Sequence, residues 1–169
     1  MEGSRGLGDV YKRQIKIQNK IKEFNWSKIS SSKTWEMGTN PDKLKELCQY
    51  WTDEYDWFKD QDYLNSFNQY KSKVDDLKIH FVLEKGKGTN NYPLVLLHGW
   101  PGSVSEFHNI IPILTKNSNN ISFDIIAPSL PGFGFSDKPN KPIGPRKMAN
   151  YINNLLVNVL GYKNYFAQG

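Results

Sequence analysis

The apolar run Leu94-Val95-Leu96-Leu97 leads directly into His98-Gly99-Trp100-Pro101-Gly102-Ser103. An unbroken run of that kind marks a strand covered on both faces. Ser103 and Glu106 stand three apart ahead of Phe107, Ile110, Ile111 and Leu114, a pattern that predicts a capped helix over 103–115. Strand, glycine turn and helix start together bring backbone N–H groups and a favourable dipole to the carboxyl end of the strand, a place suited to negative charge. Upstream, Leu44, Leu47, Cys48, Trp51, Tyr55 and Phe58 recur at spacings of three and four behind Asn40 and Pro41, predicting an amphipathic helix with a proline in its first turn. Its aromatic side chains are expected in the core. Residues 15–33 are polar with scattered apolar positions, and Ser30-Ser31-Ser32 reads as a loop. Strands are predicted at Ile79–Glu84, Phe123–Ala127 and from Tyr165 onward. Pro145 opens a last helix with Met148, Ile152, Leu155, Leu156 and Val159 inward and Gly161 as its stop. Strand, strand, helix, strand, helix, strand is the alternation of an α/β protein with a largely parallel sheet.

Composition narrows this little. The 169 residues are 38% hydrophobic and 23% charged, as in soluble globular proteins. Four of the five net positive charges fall in residues 1–37, so no basic face or nucleic-acid motif stands out in the remainder and no nucleic-acid partner is expected. Cys48 is the one cysteine, which excludes an internal disulfide and a cysteine-rich metal site. No apolar run approaches the roughly 20 residues of a membrane span. Residues 1–14 show no period and read as a non-native leader. The expected organisation is therefore a leader (1–14), a mostly helical stretch (15–78) and an α/β core (79–169).

Candidate chemistry begins with exclusions. His80, His98 and His108 lack metal-ligand spacing, and no metal is expected. Gly86-x-Gly88 follows a strand but opens no helix, and Gly132-x-Gly134 lies in a proline-bearing loop, so neither is a dinucleotide fingerprint and no cofactor is expected. On its residues alone, His98–Ser103 is a ligand-facing loop of an α/β protein.

A more specific reading comes from the motifs together. His98-Gly99-Trp100-Pro101, then Pro131-Gly132-Phe133-Gly134-Phe135-Ser136, then Tyr165-Phe166-Ala167-Gln168-Gly169 resemble in order and spacing the epoxide hydrolases of the microsomal and juvenile-hormone type. The upstream Trp35, Tyr50-Trp51, Tyr55-Asp56-Trp57, Tyr63, Tyr70 and Ile79-His80-Phe81 resemble that family's N-terminal domain, so that the likeness covers about residues 35–169. It implies a partial α/β-hydrolase sheet preceded by a mostly helical N-terminal meander over 15–78, and hydrolysis of an epoxide by water to a vicinal diol through an aspartyl ester. By the same resemblance the backbone N–H of Trp100 is an oxyanion-hole donor, and the Trp100–Pro101 peptide is cis. His98, Gly99, Pro101, Gly132 and Phe133 shape the loops and pocket, and Gly169 begins the nucleophile elbow. In the family Gly-Asp-Trp-Gly follows, with the nucleophile two residues beyond the position of Gly169. The chain is thus expected to be a fragment that is inactive alone. With no span or secretory leader read in the sequence, a cytoplasmic location is expected, or the endoplasmic reticulum membrane if an anchor precedes the chain as the resemblance allows, and a homo-oligomer stays open. Two other readings stay open. One is another α/β-hydrolase, a haloalkane dehalogenase or esterase, although both lack the 35–81 segment. The other is a non-catalytic binding or scaffold module.

Overall fold

A computed structural model describes residues 7–29, 34–36, 38–116 and 118–169. The serine loop expected at 30–32 and the first six residues of the expected leader lie outside them. The chain divides into two compact units, residues 1–58 and 59–169.

The first unit holds α1 (Leu7–Lys22), a short 3-10 turn (Trp26–Lys28) and α2 (Pro41–Asp53). Residues 7–14, without apolar period in the sequence, are thus helical. At α2 the Asn40 side chain accepts from the Asp42 and Lys43 N–H groups at 2.9 and 3.2 Å, with Pro41 in the first turn. The apolar stripe read as one helix is cut after Asp53, and α3 (Trp57–Asn65) starts anew with the Asp56 carboxylate accepting from Phe58 N–H at 3.0 Å. The aromatic stripe of α2 is not a core: Leu47 is 60% and Trp51 40% exposed, and no α2 residue is buried. Two helices alone lack the second layer that would close over both apolar faces.

The second unit is a five-stranded sheet of β1 (Gln69–Val74), β2 (Leu77–Glu84), β3 (Asn90–Leu96), β4 (Ile121–Pro128) and β5 (Phe166–Gln168), in the order β1-β2-β4-β3-β5. β3 lies parallel to both β4 and β5, whereas β2 is antiparallel to β1 and β4. The sheet is therefore mixed, the added antiparallel pair being a hairpin whose first strand the sequence reading passed over. β1 is Gln-Tyr-Lys-Ser-Lys-Val, polar because it is an edge strand with only Val74 buried. Its turn places Asp75 at a φ of +53°. The Tyr151 hydroxyl holds that turn by donating to Asp76 at 2.6 Å.

Alternation along the inner strands sends side chains to two cores. Ile79, Phe81, Val95 and Ile126 face Tyr151, Ile152, Leu155 and Leu156, while Val82, Leu96, Ile125 and Ala127 face Ile111 on the other side. α5 (Pro145–Asn154) runs into a π-helical turn at Leu155–Val159, closed by the Leu160 N–H to Leu155 O bond at 3.0 Å. The wider turn rotates Val159 outward to 41% exposure, where it was expected inside, and Gly161 then ends the helix at a φ of +77°.

The helix predicted over 103–115 is not continuous. A 3-10 turn (Val104–Phe107) is followed by one turn of helix, α4 (Ile111–Leu114). Pro112 is the reason, since it has no N–H to offer the carbonyl of residue 108 and its ring crowds that carbonyl. The freed His108 carbonyl instead accepts from the Tyr63 hydroxyl at 3.2 Å. Ser103 still caps, accepting from Ser105 N–H at 3.3 Å. Elements this short carry no sizeable macrodipole, so the dipole read from the sequence is absent and the individual N–H groups remain.

Candidate functional site

Three chain segments meet at the carboxyl ends of the parallel strands. They are residues 97–102 after β3, residues 129–137 after β4, and Gly169 after β5. The strands are brought side by side by their registers, Val95 pairing with Ile126 on β4 and with Ala167 on β5.

His98 joins the first two segments. It is buried, and its Nε2 accepts from the Leu130 backbone N–H at 3.0 Å. An Nε2 that accepts carries no proton, so the neutral ring bears it on Nδ1, which donates to the Gly99 carbonyl at 3.2 Å. The Phe133 ring stands edge-on to His98 at 5.2 Å. Gly132 turns the chain at a φ of +88° and donates its N–H to Asp137 O at 3.0 Å, and Phe133 N–H closes on Leu130 O at 2.9 Å. Gly132 and Phe133 are thus brought together with His98 and Gly99.

Trp100 and Pro101 lie on the outer side of this loop. The Trp100–Pro101 peptide is cis, and the indole is 84% exposed. The Trp100 N–H makes no bond to any described residue. Gly102 leaves room for the Glu106 carboxylate, which occupies the space a Cβ would take. Leu97 N–H donates to Gln168 O at 2.8 Å, and a Cβ at Gly169 would stand 3.0 Å from the Leu97 Cβ and 3.1 Å from its carbonyl oxygen. Backbone therefore approaches backbone closely where β5 ends beside the Trp100 loop.

The 129–137 segment is tied down by residues to which the sequence assigned no role at the site. His80, mid-strand on β2 and 5% exposed, meets Ser129 Oγ through Nδ1 and Gln69 Oε1 through Nε2, each at 2.9 Å. Its backbone N–H donates to Ser136 Oγ at 2.9 Å, and Ser136 in turn donates to Ser129 O at 2.6 Å. Burial, reinforced by the positive Lys71, pushes the His80 imidazole down to about 4, so it is neutral at physiological pH. The usable signal was a histidine inside the apolar run 79–83, since a buried ring needs partners for both nitrogens. Asp137 pins the segment's end. Its carboxylate accepts from Lys78 N–H at 2.8 Å and pairs with Lys71 at 3.0 Å, and these contacts hold it below the usual carboxylate range. Among the described residues no three His, Cys, Asp or Glu side chains gather as a metal cluster. The geometry can present a backbone donor, held by a buried histidine, to negative charge developing at the strand ends.

The family described as epoxide hydrolase N terminus matches residues 10–107, and the alpha/beta hydrolase fold matches residues 92–169. A putative epoxide hydrolase of Stigmatella aurantiaca is 38% identical over 159 residues, covering 90% of this chain and 36% of the relative. Juvenile hormone epoxide hydrolase 1 of Ctenocephalides felis is 36% identical over 170 residues, covering 92% of this chain and 36% of its own. The crystal structure of juvenile hormone epoxide hydrolase from Bombyx mori superposes with a TM-score of 0.84 at 35% identity, over 100% of this chain and 44% of that one. The chain thus spans little more than a third of the length of these curated relatives.

Proposed function

Because the chain belongs to the epoxide hydrolase family with its characteristic N-terminal segment, we propose that the full-length protein hydrolyses an epoxide to a vicinal diol and that this chain supplies half of the oxyanion hole. A carboxylate oxygen attacks a ring carbon, the C–O bond breaks, and the ring oxygen leaves as an alkoxide that takes a proton from an acid. Water, deprotonated by a base, then attacks the ester carbonyl. The tetrahedral oxyanion collapses, the departing diol oxygen takes the proton held by the base, and the freed carboxyl group returns its proton to the spent acid, restoring the carboxylate. Splitting the reaction in this way replaces one hard displacement by two easier ones.

In this scheme the Trp100 N–H donates to the ester oxygen as it becomes an oxyanion, and the chain leaving Gly169 brings the nucleophile alongside. One such donor is worth about 2.7–4 kcal/mol of barrier in other enzymes. The observation that carries the reading is the Trp100 N–H itself, unengaged on a loop held by His98 and adjoining the end of β5. His98 serves as a shaping residue, since both its nitrogens are spent on backbone partners. The partners are an epoxide and water.

The test is rapid quenching of the full-length protein after mixing with excess styrene oxide, followed by intact-mass analysis. A transient adduct of the substrate's mass, decaying to diol, is expected. Diol production with no adduct at any time would falsify the ester route.

A further inference from the structure

Resting on the epoxide hydrolase reading, we infer that His80 is a positioning residue for the oxyanion-hole loop. It acts through Ser129, the 130–137 segment and His98, and it does so as one particular neutral tautomer, opposite to that of His98.

The hydrogen bonds around His80 have only one consistent direction. The Gln69 amide nitrogen donates to Leu64 O at 2.8 Å, which turns its carbonyl oxygen onto His80 Nε2 at 2.9 Å. A carbonyl can only accept, so Nε2 carries the proton. Nδ1 is then a lone pair and accepts from the Ser129 hydroxyl. The main chain repeats the grip, Ser129 N–H donating to His80 O at 2.8 Å and His80 N–H to Ser136 Oγ at 2.9 Å. Ser136 passes its own proton to Ser129 O, so the two serines bracket the glycine-rich turn and both are anchored on one residue of β2. Gly134, at a φ of +49°, sits so close that a Cβ there would lie 2.7 Å from Ser129 Oγ, so glycine is what fits beside the serine. Phe135 closes the cluster, its ring edge-on to the imidazole at 5.1 Å.

The next residue after Ser129 is Leu130, and its N–H is what His98 Nε2 accepts. Donation therefore runs outward from the Ser129–Leu130 stretch: the Ser129 O–H donates to His80, whose Nε2–H donates to Gln69, while the Leu130 N–H donates to His98, whose Nδ1–H donates to the Gly99 carbonyl, in the same peptide unit as the Trp100 N–H. A positive charge on His80 would make Nδ1 a donor and turn the Ser129 hydroxyl from donor into acceptor, reversing that bond. A buried network of this kind is rigid when every member is satisfied. Here the rigidity is delivered to the loop that meets the oxyanion, a species of the second chemical step.

Two substitutions in the full-length protein separate this role from plain scaffolding. His80→Asn keeps an acceptor near the place of Nδ1 and drops the Gln69 bond, whereas His80→Gln keeps a donor near the place of Nε2 and drops the acceptor for Ser129. In single-turnover quench experiments with styrene oxide, ester formation should stay within about twofold in both variants. Ester hydrolysis should fall about tenfold or more in His80→Gln and within about threefold in His80→Asn, below the hundred- to thousandfold loss of a donor itself. Imidazole nitrogen shifts at neutral pH should show His80 protonated on Nε2 and His98 on Nδ1. A His80 proton on Nδ1, equal hydrolysis in His80→Gln and unmodified protein, or an equal fall in both steps overturns the inference. Absence of any ester in the unmodified protein overturns the epoxide reading and this role with it. An ester that forms and hydrolyses normally in His80→Gln overturns the positioning role alone.

Discussion

Trp100 is the residue at which backbone and side chain separate most cleanly. Its indole is 84% exposed, so it contributes little to the loop's own packing, while its unengaged N–H is the group proposed to meet the oxyanion. In the full-length protein Trp100→Ala should keep ester hydrolysis within about threefold and alter the relative kcat/KM of small and bulky epoxides by about tenfold, because Ala retains the N–H. Comparison of styrene oxide with a fatty-acid epoxide reads this; loss of hydrolysis in a normally folded variant contradicts the backbone role. His80 supplies the second residue-level prediction. Its folded value of about 4 lies below the unfolded imidazole value of roughly 6.5, so its contribution is complete above pH 6.5. As pH falls from there to about 4 the unfolded chain takes the proton first, and about 3 kcal/mol of stability should be lost. Denaturant unfolding across that window, compared with His80→Asn, should show the extra slope in the unmodified protein alone. Parallel slopes would count against a buried neutral imidazole.

At the scale of elements, the break between the 3-10 turn and α4 matters most, because it follows directly on the Trp100 loop. Pro112 leaves the His108 carbonyl without its helical donor, and Tyr63 of α3 fills the vacancy while Phe67 stacks on the His108 ring at 5.5 Å. A three-residue aromatic clamp thus replaces a turn of helix. Tyr63→Phe removes the hydroxyl and keeps the ring, and should cost about 0.5–1.5 kcal/mol. In a Pro112→Ala background residue 112 regains an N–H for that carbonyl, and the same substitution should cost close to nothing. A double-mutant cycle by thermal unfolding measures the difference; equal costs in both backgrounds would show that the Tyr63 bond does not substitute for the helical one. The capping serine was legible because Ser103 acts locally. The break was harder to see because the apolar spacing of Phe107, Ile110, Ile111 and Leu114 is that of a continuous helix.

For the molecule as a whole, the open edge of the sheet at β5 matters most. β5 pairs with β3 alone among the described strands, all three of its residues are exposed, and Phe166 is 59% exposed. An apolar strand with an open edge templates intermolecular pairing. Residues 1–169 expressed by themselves should therefore sediment as species larger than a monomer and bind hydrophobic dyes, and Phe166→Lys should shift the distribution toward monomer. A monomeric profile with a single cooperative melt would oppose this. No described helix is long and apolar enough to cross a membrane.

What local sequence determined were features set within a few residues. The β3 and β4 runs follow from apolar continuity, the start of α2 from Asn40 and Pro41, the stop after the π-helical turn from Gly161, and the two loops from their Gly and Pro content. Residue types also marked Trp100, His98 and Gly169 as positions of interest through the family resemblance. Tertiary structure decided the rest. Whether β1 is a strand depends on pairing with β2, since its own residues are mostly polar. Which nitrogen of each histidine holds a proton depends on Gln69, Ser129 and Leu130, which lie 11, 49 and 32 residues from the rings they meet. A hydrogen bond carries no trace in the composition of either partner until the sheet brings the two together, and so the loops could be read along the chain but not what holds them.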